Sequence, residues 1–386
     1  MPYPRLDDDD RLIVDAARGF AQKRLAPNSL KWDADHHFPV AEMKEAAELG
    51  MAAIYTREDV GGAGLRRLDG VRIFEELAKG DPVTAAFLSI HNMCTWMVDC
   101  YGTAEQRERW VPGLATMESM ASYCLTEPSV GSDAAALATS ARADGDGYVL
   151  RGTKQFISGG GVSDVYVVMA RTGDTGARGI SAFIVEKDAP GLSFGPPEEK
   201  MGWHNQPTAQ VIFDDVRVSA DALIGGPDGV GAGFSMAMNG LNGGRINIAA
   251  CSLGGAQAAY DAALAYTADR EAFGTPLIGE PTIRATLADM ATSLEVSRLM
   301  LWRAAEALDN GDPDKVELCA MAKRFVTDTC FTVADQALQL HGGYGYLHET
   351  GVEKIVRDLR VNRILEGTNE IMRMVIGRAE AARLKN

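Results

Sequence analysis

The stretch His341-Gly-Gly-Tyr-Gly-Tyr-Leu-His-Glu-Thr350-Gly-Val-Glu-Lys-Ile-Val-Arg-Asp-Leu-Arg360-Val-Asn-Arg-Ile-Leu-Glu366-Gly-Thr-Asn-Glu370 decides how the chain is read. Ahead of it, Val333, Ala334, Ala337, Leu338 and Leu340 recur at helical spacing, and Gly342-Gly343 supplies the left-handed residue that stops that helix. Thr350 with Glu353 has the pattern of a capping box that opens a second, short helix. Thr368 or Asn369 then caps a last helix carrying Ile371, Met372, Val375 and Ile376. Glu366 therefore falls in a tight connection between helices, beside Ile364 and Leu365. A carboxylate in such a place loses hydration, its pKa rises, and it becomes a usable proton acceptor near neutrality. The residues alone also allow a plainer reading, which the local pattern favours: an acid at a helix start, solvated and stabilised by the helix dipole.

Working outward, 386 residues with 46% hydrophobic and 24% charged side chains suffice for two or three domains around a large core. A net charge of −15 argues against a nucleic-acid surface, which needs a basic face. The six cysteines, Cys94, Cys100, Cys124, Cys251, Cys319 and Cys330, form neither CxxC pairs nor a short disulfide framework, so reduced and mostly buried thiols are expected. The opening MPYPRLDDDDRL has acids where a leader would carry basic residues, so no secretory or transit peptide and a cytoplasmic location are expected, or the mitochondrial matrix in a eukaryote. No uncharged run reaches the length of a membrane span.

Residues 1–120 read as helical, with apolar side chains such as Leu12, Ile13, Ala16, Met43, Ala46, Ile73 and Leu77 at three- and four-residue spacings. Phe87 to Met93 with Trp96-Met97 is an apolar helical patch, first of all a core face. Over 121–228 the period shortens: Ser122–Thr126, Tyr148–Leu150, Val165–Met169, Ile180–Val185 and Gln210–Phe213 are short β-branched or aromatic runs, and Asp144-Gly145-Asp146-Gly147 is a hairpin turn. Residues 229–386 return to helical spacing. The expected architecture is thus α+β and multidomain, a β domain between two helical ones. The glycines of Asp59–Gly64 and of Gly229–Gly233 match no phosphate-binding fingerprint and read as loop and linker. Walker and nucleophile-elbow motifs are lacking, and six scattered histidines make no metal site; His341 reads as a helix C-terminal cap.

Two segments now carry a family resemblance. Gln336-Ala-Leu-Gln339-Leu-His341-Gly-Gly-Tyr-Gly-Tyr with Leu365-Glu366-Gly-Thr-Asn-Glu-Ile371, and Tyr123-Cys-Leu-Thr126-Glu-Pro-Ser-Val-Gly131-Ser132-Asp133, closely resemble signatures of the acyl-CoA dehydrogenases. That resemblance implies an N-terminal helical domain, a central β-barrel-like domain and a C-terminal four-helix bundle, assembled as a homotetramer around FAD. It makes Glu366 the base that takes the α proton of an acyl thioester, reversing the plainer local reading. Tyr123, Leu125, Thr126, Gly131 and Ser132 would border the flavin, with Ser132 also contacting CoA. Phe156, Ile157 and Ser158 would form the next flavin segment; Trp and Thr are usual where Phe156 and Ser158 stand, which weakens the expected bond to N5.

By the same resemblance Arg270 and Phe273 belong to an R-x-x-F-G motif whose arginine reaches the cofactor pyrophosphate of a neighbouring subunit, a task suited to a planar two-pronged donor. Gln339, Gly342 and Gly343 would flank the adenosine end, and Thr368 and Asn369 the phosphates, with Glu370 also among the cofactor-binding residues. Asn242, Arg245, Gly367 and Arg378 would lie on the substrate side. The plainer reading of Leu241–Ala249 is a helix start with an exposed arginine. One family variant carries its base just before that arginine; here the position is Gly244. Glu280-Pro281 replaces a glutamine that usually touches the cofactor. Leu365, where tyrosine is common, points to the branch acting on short branched thioesters, isobutyryl-CoA foremost, with an electron-transfer flavoprotein as acceptor. A straight-chain or 2-methylbutyryl substrate, an oxidase and a non-catalytic flavin-binding relative are the alternatives.

Overall fold

In the computed structural model, residues 8–174 and 176–384 are described; the leader expectation begins on residues that lie outside them. Six helices come first: α1 (Asp8–Phe20), α2 (Ser29–Asp35), α3 (Val40–Glu48), α4 (Arg67–Gly80), α5 (Pro82–Tyr101) and α6 (Ala104–Ala115). Asp81 caps α5 by accepting from Thr84 N–H with Pro82 at the first helical position, and Thr103 with Gln106 forms a full capping box on α6.

Seven strands follow: β1 (Ala121–Cys124), β2 (Ser140–Asp144), β3 (Gly147–Ser158), β4 (Val165–Arg171), β5 (Ile180–Glu186), β6 (Leu192–Phe194) and β7 (Thr208–Ser219). They run β1-β4-β2-β3-β7-β6 with β5 also on β4. The expected hairpin is present, Asp144 pairing with Gly147. The runs in β4 and β5 are continuously apolar because both faces are covered. Val165, Val167 and Met169 enter a core shared with α5 and α6, whereas Tyr166, Val168 and Ala170 enter a second core on the far face.

The C-terminal part holds α7 (Gly233–Asp269), a small hairpin of β8 (Glu271–Ala272) and β9 (Thr275–Pro276), then α8 (Pro281–Asn310), α9 (Lys315–Leu340), α10 (Val352–Arg360) and α11 (Asn369–Arg383). α9 touches α7, α8 and α11, which together make the bundle, while α4 and α5 pack on α7. α7 is about 55 Å long at 1.5 Å per residue, and from Gly240 to Ala256 every residue is buried. Its close approach to α4 needs glycine: a Cβ on Gly254 would sit 2.1 Å from the carbonyl oxygen of Glu75.

Two local expectations are corrected. α7 begins eight residues before Leu241, so Arg245 lies deep inside the helix and is buried instead of marking an exposed start. The Thr350 capping box does not form. Gly351 occupies the N-cap of α10, Thr350 Oγ1 donates backwards to the Tyr344 and Leu347 carbonyls, and Glu353 is taken by Arg357. A glycine at left-handed φ turns the chain there, so a side-chain cap is not needed.

Candidate active site

Glu366 sits between α10 and α11 in a turn pinned from both sides. Before it, Asn362 Nδ2 donates to Ser252 Oγ on α7 (2.8 Å) and Arg363 Nε to Asp328 Oδ1 on α9 (2.7 Å). After it, Thr368 accepts from Ile371 N–H as the N-cap of α11, and the Asn369 amide donates to Thr327 Oγ1 and Asp328 Oδ1. With both flanks fixed, Glu366 adopts φ +58° and Gly367 φ +88°. The left-handed conformation costs a non-glycine residue on the order of 1–3 kcal/mol and persists only where the surroundings impose it.

That strained turn delivers the carboxylate against α7 beside Gly244 and Arg245. Among the described residues, Oε2 is shielded from solvent and has no hydrogen-bond partner. A Cβ on Gly244 would lie 2.4 Å from Oε2, so the glycine is the notch that admits the carboxylate. Arg245 lies alongside with Nη1 donating to Asn242 Oδ1 (2.8 Å) and Nε to the Glu366 carbonyl (3.3 Å). Burial pushes the Glu366 carboxyl up to about 7, opposed by the positive charges of Arg245 and Lys323. The solvated acid of the plainer reading is therefore not what the fold builds. Tyr123 of β1 faces the same place: its hydroxyl is buried and, among the described residues, unpartnered, and burial with the nearby Glu366 holds it well above its usual range.

Tyr123 is joined to a second group through its neighbour, since the Ser122 hydroxyl bonds both the Ser158 carbonyl and Ser163 Oγ. Ser158 Oγ accepts from Gln206 Nε2 (2.6 Å). Phe156 breaks the β3–β7 register with φ +59° and leaves its ring 64% exposed, while Ile157 points into the core. Such exposure of a large aromatic at a strained position suits a planar partner. The loop bearing Thr126 is held by a buried ion pair, Lys154 Nζ to Glu127 Oε1 at 2.9 Å, with Lys154 also donating to the Leu125 carbonyl. Gly131 and Ser132 are exposed on that loop.

A third group lines a cleft of about 580 Å³: Arg270, Gln339, Gly342 and Gly343, together with Tyr266 and Tyr344. The Arg270 guanidinium lies over the Tyr344 ring, and neither Gly342 nor Gly343 has an atom within 4 Å of where a Cβ would project. His341 is structural as read, donating from Nδ1 to the Ala337 carbonyl and stacking on Tyr266. Phe273 is wholly exposed on the β8–β9 turn, and Glu370 and Arg378 are exposed on α11. The Asn369 side chain is committed to α9, and Glu280 is the N-cap of α8. Sequence reasoning passed over two residues, Lys323 and Gln206. Lys323 could have been noticed as a lysine on the Cys319, Ala322, Val326, Cys330 face of α9.

One chain thus carries a carboxyl whose pKa is raised to about 7 beside a helix notch, an exposed aromatic ring at a left-handed position, and an arginine-lined cleft with bare glycines. The chain belongs to the acyl-CoA dehydrogenase family: models of that family's N-terminal, middle and C-terminal domains match residues 7–118, 122–216 and 231–381. It is therefore a flavin-dependent oxidoreductase acting on acyl-CoA thioesters. Among known relatives it is 54% identical to the mitochondrial isobutyryl-CoA dehydrogenase of Dictyostelium discoideum and 52% identical to that of Bos taurus, over 98% of this chain and 90% of each relative. The butyryl-CoA dehydrogenase structure from Megasphaera elsdenii superposes with a TM-score of 0.94 at 36% identity, covering 99% of this chain and 100% of that one. Among the described residues no helix is long and apolar enough to cross a membrane, and no cluster of three metal-ligating side chains occurs.

Proposed function

We propose that the protein introduces the α,β double bond into a short branched acyl-CoA, isobutyryl-CoA foremost, with Glu366 as the base. The observation that carries this is the Glu366 carboxylate itself, with Oε2 shielded from solvent, unpartnered among the described residues and seated against the Gly244 notch. Arg245 and Asn242 hold the turn and line its approach. The Glu366 carboxylate accepts the proton from the thioester α carbon, and the backbone N–H of Glu366 is a candidate donor for the thioester carbonyl, which makes that proton acidic. When bound, FAD supplies the two-electron acceptor for the hydride from the β carbon. Phe156, Thr126 and Ser158 would hold its ring and Arg270, Gln339, Gly342 and Gly343 its dinucleotide, with a partner subunit completing the clamp. The 52% and 54% identity to isobutyryl-CoA dehydrogenases supports the branched substrate; an electron-transfer flavoprotein is the acceptor proposed for the reduced flavin.

Turnover on isobutyryl-, 2-methylbutyryl-, butyryl- and hexanoyl-CoA with an electron-transfer flavoprotein tests the assignment. The highest kcat/KM is expected for isobutyryl-CoA. A straight-chain substrate preferred by tenfold or more, or peroxide formed in air at the rate of turnover, would overturn it.

A further inference from the structure

Behind the Glu366 turn stands a lysine to which the reaction above gives no part. Lys323 of α9 is 0% exposed. Its Nζ donates to the Gly367 carbonyl at 2.8 Å and to Asn369 Oδ1 at 2.9 Å. From α7, Arg245 Nε donates to the adjacent carbonyl, that of Glu366. Two buried basic side chains thus grip consecutive peptide oxygens of a left-handed pair, and burial lowers the Lys323 ammonium to about 7 with Glu366 opposing the shift, so its charge acts on Glu366 in the acid and neutral range. Among the described residues, neither forms an ion pair with the carboxylate they surround.

This is a costly way to hold a turn. An ammonium taken from water into a protein interior loses hydration that a carbonyl and an amide oxygen repay only in part. A methionine would fill the same volume without that penalty. What the lysine adds is a donor for a carbonyl that would otherwise be buried and unmet, and a positive charge close to Glu366.

We propose that Lys323 is a positioning residue for Glu366: by gripping Gly367 it fixes the left-handed turn, and its charge favours the ionised form in which Glu366 accepts a proton. The proposal rests on the reading of Glu366 as the base. The groups facing Glu366 are Arg245 and Cys251 on α7, Lys323 on α9, Tyr123 on β1 and Cys94 on α5. Those facing Lys323 are Glu366, Arg245, Asp328 on α9 and Glu370 on α11. Of the two basic groups at Glu366, Arg245 is the one assigned to the substrate above, so Lys323 is the one whose replacement tests the turn alone.

The experiment follows flavin bleaching by isobutyryl-CoA, anaerobically and over pH 5.5–9.5, in FAD-loaded wild type, Lys323→Met, Lys323→Gln and Glu366→Gln. Lys323→Met should bleach about tenfold more slowly at pH 7, with its acid limb moved up by about one pH unit and its rate recovering near pH 9 to within a few-fold of wild type, the remainder being the loss of the Gly367 contact. FAD content and the substrate concentration for half-maximal bleaching should hold. Lys323→Gln keeps a donor for Gly367 without the charge, so it should show the same limb shift with a smaller loss at high pH. A rate lowered equally at every pH, or a limb left in place in both lysine variants, overturns the proposal even if Glu366→Gln is inert. Bleaching by Glu366→Gln at the wild-type rate overturns the underlying reading instead.

Discussion

Glu366 Oε2 and Gly244 occupy one volume: a Cβ at position 244 would come within 2.4 Å of the carboxylate oxygen. A glycine in mid-helix is unfavourable alone; here it is explained by the carboxylate that fills the space a Cβ would take.

Gly244→Ala should therefore push the carboxylate aside with little effect on the rest of α7, where alanine is the better helix former by about 1 kcal/mol. A shift of about 1 Å at a reacting group costs about a hundredfold. Rapid-mixing measurement of flavin bleaching should show that loss with FAD content unchanged. A rate within threefold of wild type would mean that the notch does not position the base.

Because burial raises the Glu366 carboxyl to about 7, the base is half protonated at neutrality. Only the ionised form accepts a proton, so kcat/KM should rise about tenfold per pH unit below 7 and level off above it. A profile flat down to pH 5 would place the titrating group elsewhere.

His91 of α5 links three elements: Nε2 donates to the Leu114 carbonyl at the end of α6, and Nδ1 accepts from Ala121 N–H at the start of β1. Burial holds its pKa down to about 4. The unfolded chain takes up a proton near pH 6.5, whereas the folded one does not until about 4. Stability is thus present above pH 6.5 and is lost as pH falls towards 4, by up to about 3 kcal/mol. His91→Phe should lose about 2–4 kcal/mol at pH 7.5 by orphaning both backbone groups, and denaturant unfolding at pH 7.5 and 5 should show a shallower pH slope than wild type.

Arg270→Gln leaves the Tyr344 shelf in place and removes the guanidinium from the cleft. FAD should dissociate at least tenfold more readily, read by the flavin fluorescence released on dilution. Undiminished retention would separate the cleft from the cofactor.

Much of this architecture is legible in the amino-acid sequence. The paired-face strands β4 and β5, the Asp144–Gly147 hairpin, the Thr368 cap and the placement of Glu366 between helices all follow from local spacing and turn chemistry. What is not legible depends on residues far apart in the chain. Arg245 reads locally as an exposed helix start, yet it is buried because α4, α5 and α9 surround α7 and bring it to a residue 121 positions later. Lys323 stands out in sequence only as a lysine on an apolar helix face; its partner Gly367 lies 44 residues further on and is not legible locally. The left-handed φ of Glu366 and Phe156 has no sequence signal, since neither residue favours it; both are imposed by what holds the flanking chain.

The central claim is that Glu366 is the proton acceptor, and Glu366→Gln tests it most directly. The variant should bind FAD with a normal spectrum and bind isobutyryl-CoA, yet show no flavin bleaching above about 10⁻³ of the wild-type rate, the loss expected when a positioned base is removed. Bleaching at an undiminished rate would contradict the account.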